Sequence, residues 1–220
     1  MVTGRRSFLQ TSVMLGCAAA AGRIVLAQTT NAAIQEGGAL IERMTWMNEP
    51  ASWKKNGDQL LVRSKPKTDF WRNTTTGALA DNGHFSYLPV SGEFVFQVRV
   101  NGQYSAAFDQ AGLMVRLNAE NWMKCGTELF QGHRCASVVF TRDFSDWSTM
   151  PDLSETQPVW WRAVRKSNSI QTQCSLDGKN FVFVRDGYFA PGAPVQVGVM
   201  CASPTGPGFD AVFDHLKLEA

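Results

Sequence analysis

Apolar and polar residues alternate over short stretches along most of this chain, the period of half-buried strands. The stretches are residues 60–64, 94–100, 112–118, 121–130, 137–142, 160–166, 169–175, 181–185, 194–200 and 209–218. Gly, Asn, Asp or Pro punctuates the gaps between them, and no long segment carries a helical period. The pattern predicts an all-β protein, an antiparallel β-sandwich or jelly roll. Ahead of it, residues 28–43 read as a polar linker, with at most a weak first turn of helix, and the domain runs over 44–220.

Hairpins follow from the punctuation. Asp177-Gly178 between two apolar runs is a strong hairpin signal, because glycine takes a positive φ without steric penalty. Between residues 112–118 and 121–130, a loop of residues 119–121 would set Arg116 opposite Lys124 and Asn118 opposite Trp122. That register puts Leu113, Val115 and Leu117 with Met123, Thr127 and Leu129 on the core face. Arg116, Asn118, Trp122, Lys124 and Glu128 then share the other face. If Gln131-Gly132 is a two-residue turn, Cys135 lies opposite Glu128; a three-residue turn would put it opposite Leu129. In neither register does Cys135 meet Cys125.

The N-terminus changes the cellular setting. Arg5-Arg6-Ser7-Phe8-Leu9-Gln10 precedes a mildly apolar run and a small-residue site at Val25-Leu26-Ala27. Residues 1–27 therefore read as a twin-arginine signal peptide, which predicts a periplasmic or secreted protein. A lipoprotein signal ending at Cys17 fits less well, since Met14 is a poor start to a lipobox. Cleavage leaves roughly 190 residues, the size of one all-β domain. Formal net charge is +2 for the whole chain, and several arginines lie in the signal, so the remainder is near neutral. With no basic stripe, nucleic acid is not an expected partner, nor is a membrane once the signal is removed. Cys125, Cys135, Cys174 and Cys201 remain, in a compartment that permits disulfides. Their spacing matches no metal or redox motif, and they read first as buried free thiols; the pairing of Cys174 with Cys201 is open. His84, His133 and His215 are scattered, so no metal site is expected.

Several motifs recur in a fixed order. They are Trp46-Met47-Asn48-Glu49-Pro50, Thr68-Asp69-Phe70-Trp71-Arg72, Asp81-Asn82-Gly83-His84, Asp109-Gln110-Ala111-Gly112 and Trp122-Met123-Lys124-Cys125-Gly126-Thr127-Glu128. Ser145-Asp146-Trp147-Ser148, Ser175-Leu176-Asp177-Gly178 and Cys201-Ala202-Ser203-Pro204 follow. This succession resembles the regulation-of-enolase-like family, a domain of unknown function, across nearly all of 44–220. The resemblance implies a concanavalin A-like lectin/glucanase fold. Phe108 stands where a tyrosine is usual before Asp-Gln-Ala-Gly, and Thr127 where an isoleucine is usual before the glutamate. Cys201-Ala202-Ser203-Pro204 carries one residue more than the usual motif. Folds of this superfamily host glucanases, lectins and interaction domains, and a structural calcium is compatible with them, so function has to come from the site.

A concave sheet face bearing indoles, amides and charges suits sugars, whose C–H faces stack on rings while hydroxyls bridge polar groups. Trp71, Trp122 and Trp147 are the stacking candidates. His84, Asp69, Asp109, Gln110, Arg72, Arg116 and Arg142 are the polar ones. Trp46, Trp53, Trp160 and Trp161 are assigned to the core. Glycoside hydrolysis would need two facing carboxyl groups, with Glu128 as the first and Asp109 or Asp69 as the second. The superfamily resemblance implies two acids two or four residues apart on one strand. Here Gly126 and Lys124 occupy those places, and Lys124 reads as an ion-pair partner of Glu128. Convergence of Arg72, Arg116, Arg142 and Arg162 would instead grip an acidic sugar, with His84 or Lys124 as the base of a lyase. The sequence thus supports a carbohydrate or glycan-derived ligand first. A protein-interaction domain without catalysis and an enzyme on a modified or acidic sugar are the alternatives.

Overall fold

The computed structural model describes residues 33–151, 153–154 and 157–220; the signal segment and Cys17 lie outside the described residues. In chain order the elements begin with β1 (Ile34–Glu36), α1 (Gly37–Glu42), β2 (Thr45–Met47), β3 (Ser52–Asn56), β4 (Gln59–Arg63), β5 (Phe70–Arg72), β6 (Leu79–Asp81), β7 (His84–Val90) and β8 (Phe94–Gly102). They continue with β9 (Gln110–Arg116), β10 (Asn121–Phe130), β11 (His133–Arg142), β12 (Phe144–Met150), β13 (Val159–Lys166), β14 (Ser169–Ser175), β15 (Val182–Tyr188), β16 (Val195–Ala202) and β17 (Asp210–Glu219). One sheet runs β12-β11-β10-β9-β16-β7-β2; the other runs β15-β14-β13-β8-β17-β4-β3, with β1 added beside β17. Every strand pairing is antiparallel. The chain is an all-β sandwich, as its alternation requires.

Each of the ten stretches read from the sequence is a strand. Most of those the pattern does not single out are short or polar: β5 and β6 have three residues each, and all of β3 is exposed; β7 and β12, of seven residues each, also go unread. The polar stretch read as a linker also contributes structure. Ile34, Gln35 and Glu36 pair with Glu219, Leu218 and Lys217, and α1 buries Leu40 and Ile41 in the main core. Six helical residues are too few to show a period, which is why composition suggests a linker there.

The β9–β10 register differs from expectation by two residues. Arg116 lies opposite Trp122, and Lys124 opposite Met114. Asn118 lengthens the turn by accepting the backbone N–H groups of Glu120 and Asn121 on its side-chain oxygen, an Asx arrangement. Because the offset is even, every side chain keeps its face. Leu113, Val115, Met123 and Cys125 enter the core, while Arg116, Trp122, Lys124 and Glu128 stand on the opposite side. Cys135 lies opposite Glu128, as the two-residue Gln131-Gly132 turn requires. All four described cysteines are buried, and Cys125, Cys174 and Cys201 are free thiols. Asp177 and Gly178 do sit in the β14–β15 hairpin, with Gly178 at φ +71° and the Asp177 carboxylate accepting two backbone N–H groups. Its connection is longer than two residues, since Cys174 pairs with Val182.

Of the tryptophans assigned to the core, Trp161 is fully buried and Trp46 packs against the core. Trp53 is 44% exposed. Trp160 lies half-buried beside His215, their ring centroids 4.8 Å apart. Trp160 belongs to the outer side of the second sheet, and Trp53, opposite Val62 and 5.9 Å from the Trp46 ring, sits at the exposed margin of the inner side on the edge strand β3, so the core assignment fails for both.

Candidate functional site

The hairpin of β5 and β6 forms a third layer over the outer side of the first sheet. Phe70 is its anchor. The ring is fully buried among Phe85, Met114, Trp122, Val139 and Met200, a second apolar cluster separate from the main core. Gly83 makes room for it, since a Cβ there would lie 2.4 Å from the Phe70 ring. At the hairpin's ends, Arg116 donates two hydrogen bonds of 2.8 Å to the Asp81 carboxylate, and the Arg72 backbone N–H donates to Ser145 Oγ at 2.9 Å. The flap covers much of the sheet face that alternation alone assigns to ligand.

What remains open is a cleft of about 320 Å³ between flap and sheet. Gln110, Lys124, Glu128 and Val139 form its sheet side, and Asp69 and Trp71 its flap side. Phe108, Trp147 and Pro204 close the flanks, and Thr74, Thr75 and Thr76 form part of the rim. The rings of Trp71 and Trp147 stand at 86° with centroids 6.4 Å apart, and Phe130 braces Trp147 from 4.9 Å. Trp147 Nε1 donates to Ser137 Oγ at 3.0 Å and to Glu128 Oε2 at 3.2 Å, which orients both indole and carboxylate. Asn73, Thr75 and Phe108 all have positive φ, at 58°, 67° and 68°. Residues with side chains adopt that conformation only when their surroundings hold them there, and such strain gathers at functional sites.

Electrostatics on the floor are dominated by burial. Glu128 is buried, and desolvation raises its carboxyl above the usual range, with the nearby Lys124 charge and the Ser137 and Trp147 hydrogen bonds opposing. Lys124 does not spend its ammonium on Glu128 as expected. It contacts Asp69 Oδ1 at 3.3 Å and donates to the Phe70 carbonyl at 2.7 Å. Gln110 Nε2 reaches Asp69 Oδ1 at 3.3 Å and the Phe108 carbonyl at 3.2 Å.

The cleft therefore brings together six of the sequence candidates: Asp69, Trp71, Gln110, Lys124, Glu128 and Trp147. The other six are placed elsewhere. His84 is buried, with Nδ1–H donating to the Asn48 carbonyl at 2.5 Å and Nε2 accepting the Lys65 backbone N–H at 2.9 Å. Both nitrogens are engaged, so it offers no base. Asp109 is fully buried and holds the backbone of Ser105 and Ala106 together with the Ser203 hydroxyl. Trp122 is only 1% exposed, lying under Phe70 and unavailable for stacking. Arg116 is consumed by Asp81, and Arg72 by Asp143 at 2.9 Å and Glu120 at 3.7 Å. Arg142 lies 5.7 Å over the Tyr188 ring, and Arg162 stacks on Phe181 in the second sheet while bonding Gln97. The four arginines do not converge, so the acidic-sugar lyase arrangement is not assembled. Among the described residues, no three His, Cys, Asp or Glu side chains are grouped to hold a metal ion. Phe108, Pro204 and the three threonines escape the sequence reading. The run Thr74-Thr75-Thr76-Gly77 between Trp71 and Asp81 is the signal in the sequence for a rim loop.

A family model described as a protein of unknown function, DUF1349, matches residues 46–220. The chain belongs to this family. This DUF1349 chain is 35% identical over 176 residues to regulation of enolase protein 1 of Saccharomyces cerevisiae, covering 80% of the chain and 89% of that protein. A crystal structure of a functionally unknown protein from Saccharomyces cerevisiae superposes with a TM-score of 0.79 at 34% identity, over 82% of this chain and 97% of that one. A carbohydrate binding module from Bacillus subtilis aligns at TM-score 0.53 and 13% identity, over 80% of this chain and 97% of that one. A GH43 protein from Bacillus licheniformis aligns at 0.63 and 18%, over 81% of this chain and 37% of that one. At such identities the last two show the shared sandwich alone.

Proposed function

We propose that the cleft under the flap binds a carbohydrate or glycan-derived ligand, and that the chain is exported by the twin-arginine route to meet it outside the cytoplasm. One observation carries the binding reading: aromatic walls set at right angles enclose a floor of Gln110, Lys124, Glu128 and Asp69. Sugar rings need both halves of that arrangement, apolar faces for C–H groups and fixed polar partners for hydroxyls. That a carbohydrate binding module shares the sandwich supports the reading by analogy. The test is a calorimetric titration of the protein with a sugar panel, repeated with Trp147→Ala. Loss of one indole wall should weaken binding about fivefold, the scale of an aromatic contact of about 1 kcal/mol. An interaction domain without a ligand site would leave the cleft indifferent to every sugar, and that outcome would end the reading.

A further inference from the structure

Among the described residues, the one ammonium on the cleft floor is committed within the site. The Lys124 side chain is 6% exposed, and its ammonium is held between the Asp69 carboxylate and the Phe70 carbonyl. Cations around the cleft are committed as well. Arg116 is bidentate on Asp81, Arg72 is on Asp143 and Glu120, and Lys67 donates to the Thr205 carbonyl at 2.7 Å. What the floor offers in surplus is acceptors. A carboxylate can receive about four hydrogen bonds, whereas Glu128 receives the Trp147 indole and the Ser137 hydroxyl.

Each ligand class meets this floor differently. An anionic sugar would come to rest beside Asp69 and Glu128, where Lys124, the one cation lining the cleft among the described residues, is already paired, and burying such a charge is costly. A protonated amine would face the Lys124 ammonium. A neutral ring brings several O–H donors for the surplus acceptors and C–H faces for Trp71 and Trp147. Ligand pockets span about 300–1,000 Å³, and 320 Å³ lies at the small end. One ring fits, and any continuing chain must leave past the threonine rim.

Resting on the carbohydrate reading, we propose that the cleft selects a neutral sugar ring with free hydroxyls, and that the Lys124–Asp69 pair excludes uronic acids. The ring is either a free monosaccharide or the end of a neutral glycan. Isothermal titration of the full chain with neutral hexoses and pentoses, the matching uronic acids and amino sugars, and neutral oligosaccharides tests this. The neutral sugar should bind at least about tenfold tighter than its uronic acid, the worth of one charge-assisted hydrogen bond. Tighter binding of the oligosaccharide would identify a chain end as the source, and tighter binding of the monosaccharide a free sugar; either supports the inference. Asp69→Asn frees the ammonium and should raise uronic-acid affinity about tenfold in a variant shown by its melting curve to be folded. Preference for a uronic or amino sugar in the unmodified protein would overturn the inference while leaving the carbohydrate reading in place. Binding of no sugar overturns both. A folded Asp69→Asn variant without gain toward uronic acids would overturn the assigned role of the pair.

Discussion

His84 ties the segment after β2 to the segment after β4, one from each sheet, through its two ring nitrogens. Removing the ring leaves a part-buried carbonyl and a part-buried N–H without their partner, and each such loss costs about 1 kcal/mol or more. His84→Ala should therefore lower unfolding stability by about 2–3 kcal/mol in a denaturant titration. The folded fraction should keep its ligand affinity, which a catalytic or binding histidine would not. Burial also holds the imidazole below its ordinary pKa of 6.5, against the opposing pull of the Asn48 carbonyl. The sign follows from proton uptake: above 6.5 neither state gains a proton, and below it the unfolded chain binds one that the native ring resists. Stability contributed by His84 is thus present above that pH and is lost as pH falls through it, and the variant should lack this slope. Position 84 was legible as chemistry but not as role, because a motif names a side chain without naming its neighbours. Glu128 and Lys124 were legible because strand alternation alone sets their side. The partner of Lys124 was not, since Asp69 is fifty-five residues away and meets it only through the flap.

The flap is the element on which the site depends, and it is held by one anchored ring, the Arg116–Asp81 and Arg72–Asp143 pairs, Lys124 on Asp69 and the Phe70 carbonyl, and the Arg72 N–H on Ser145. Asp81→Ala would strand the Arg116 guanidinium, whose side chain is 6% exposed. We expect amide exchange in β5 and β6 to quicken about tenfold, equivalent to about 1.4 kcal/mol of local opening. Exchange in β10 and β11, central in the sheet, should hold. Uniform quickening through both regions would mean that the ion pair supports the whole sandwich and is no local latch. Neither β5 nor β6 announced itself in the sequence. Three residues of alternation are indistinguishable from chance, and Phe70-Trp71-Arg72 has its apolar residues adjacent, without the alternating period of a long strand. The β9–β10 register likewise turned on a single side chain, Asn118, whose hydrogen bonds lengthen the loop.

At the scale of the molecule, two sheets close a core in which Cys125, Cys174 and Cys201 are buried as free thiols. The proposed twin-arginine route carries folded cargo. If the N-terminal arginine pair directs that route, Arg5→Lys with Arg6→Lys should leave the full-length precursor in the cytoplasm on fractionation. Normal export and cleavage of that double variant would refute the assignment.

The sequence by itself determined the class of fold, the positions of ten of its strands and the face on which the residues of β9 and β10 lie. Those properties are local: they follow from a period of two and from turn chemistry within a few residues. Only the tertiary structure decided that the presumed open face is roofed, that Trp122 lies beneath the roof, and that the cleft lies between Trp71 on the flap and Trp147 on the sheet. Those facts depend on the β5–β6 hairpin folding back over strands distant in sequence, and on which carboxylate each cation reaches first. Burial and charge pairing are set by such contacts, to which periodicity along the chain carries no information.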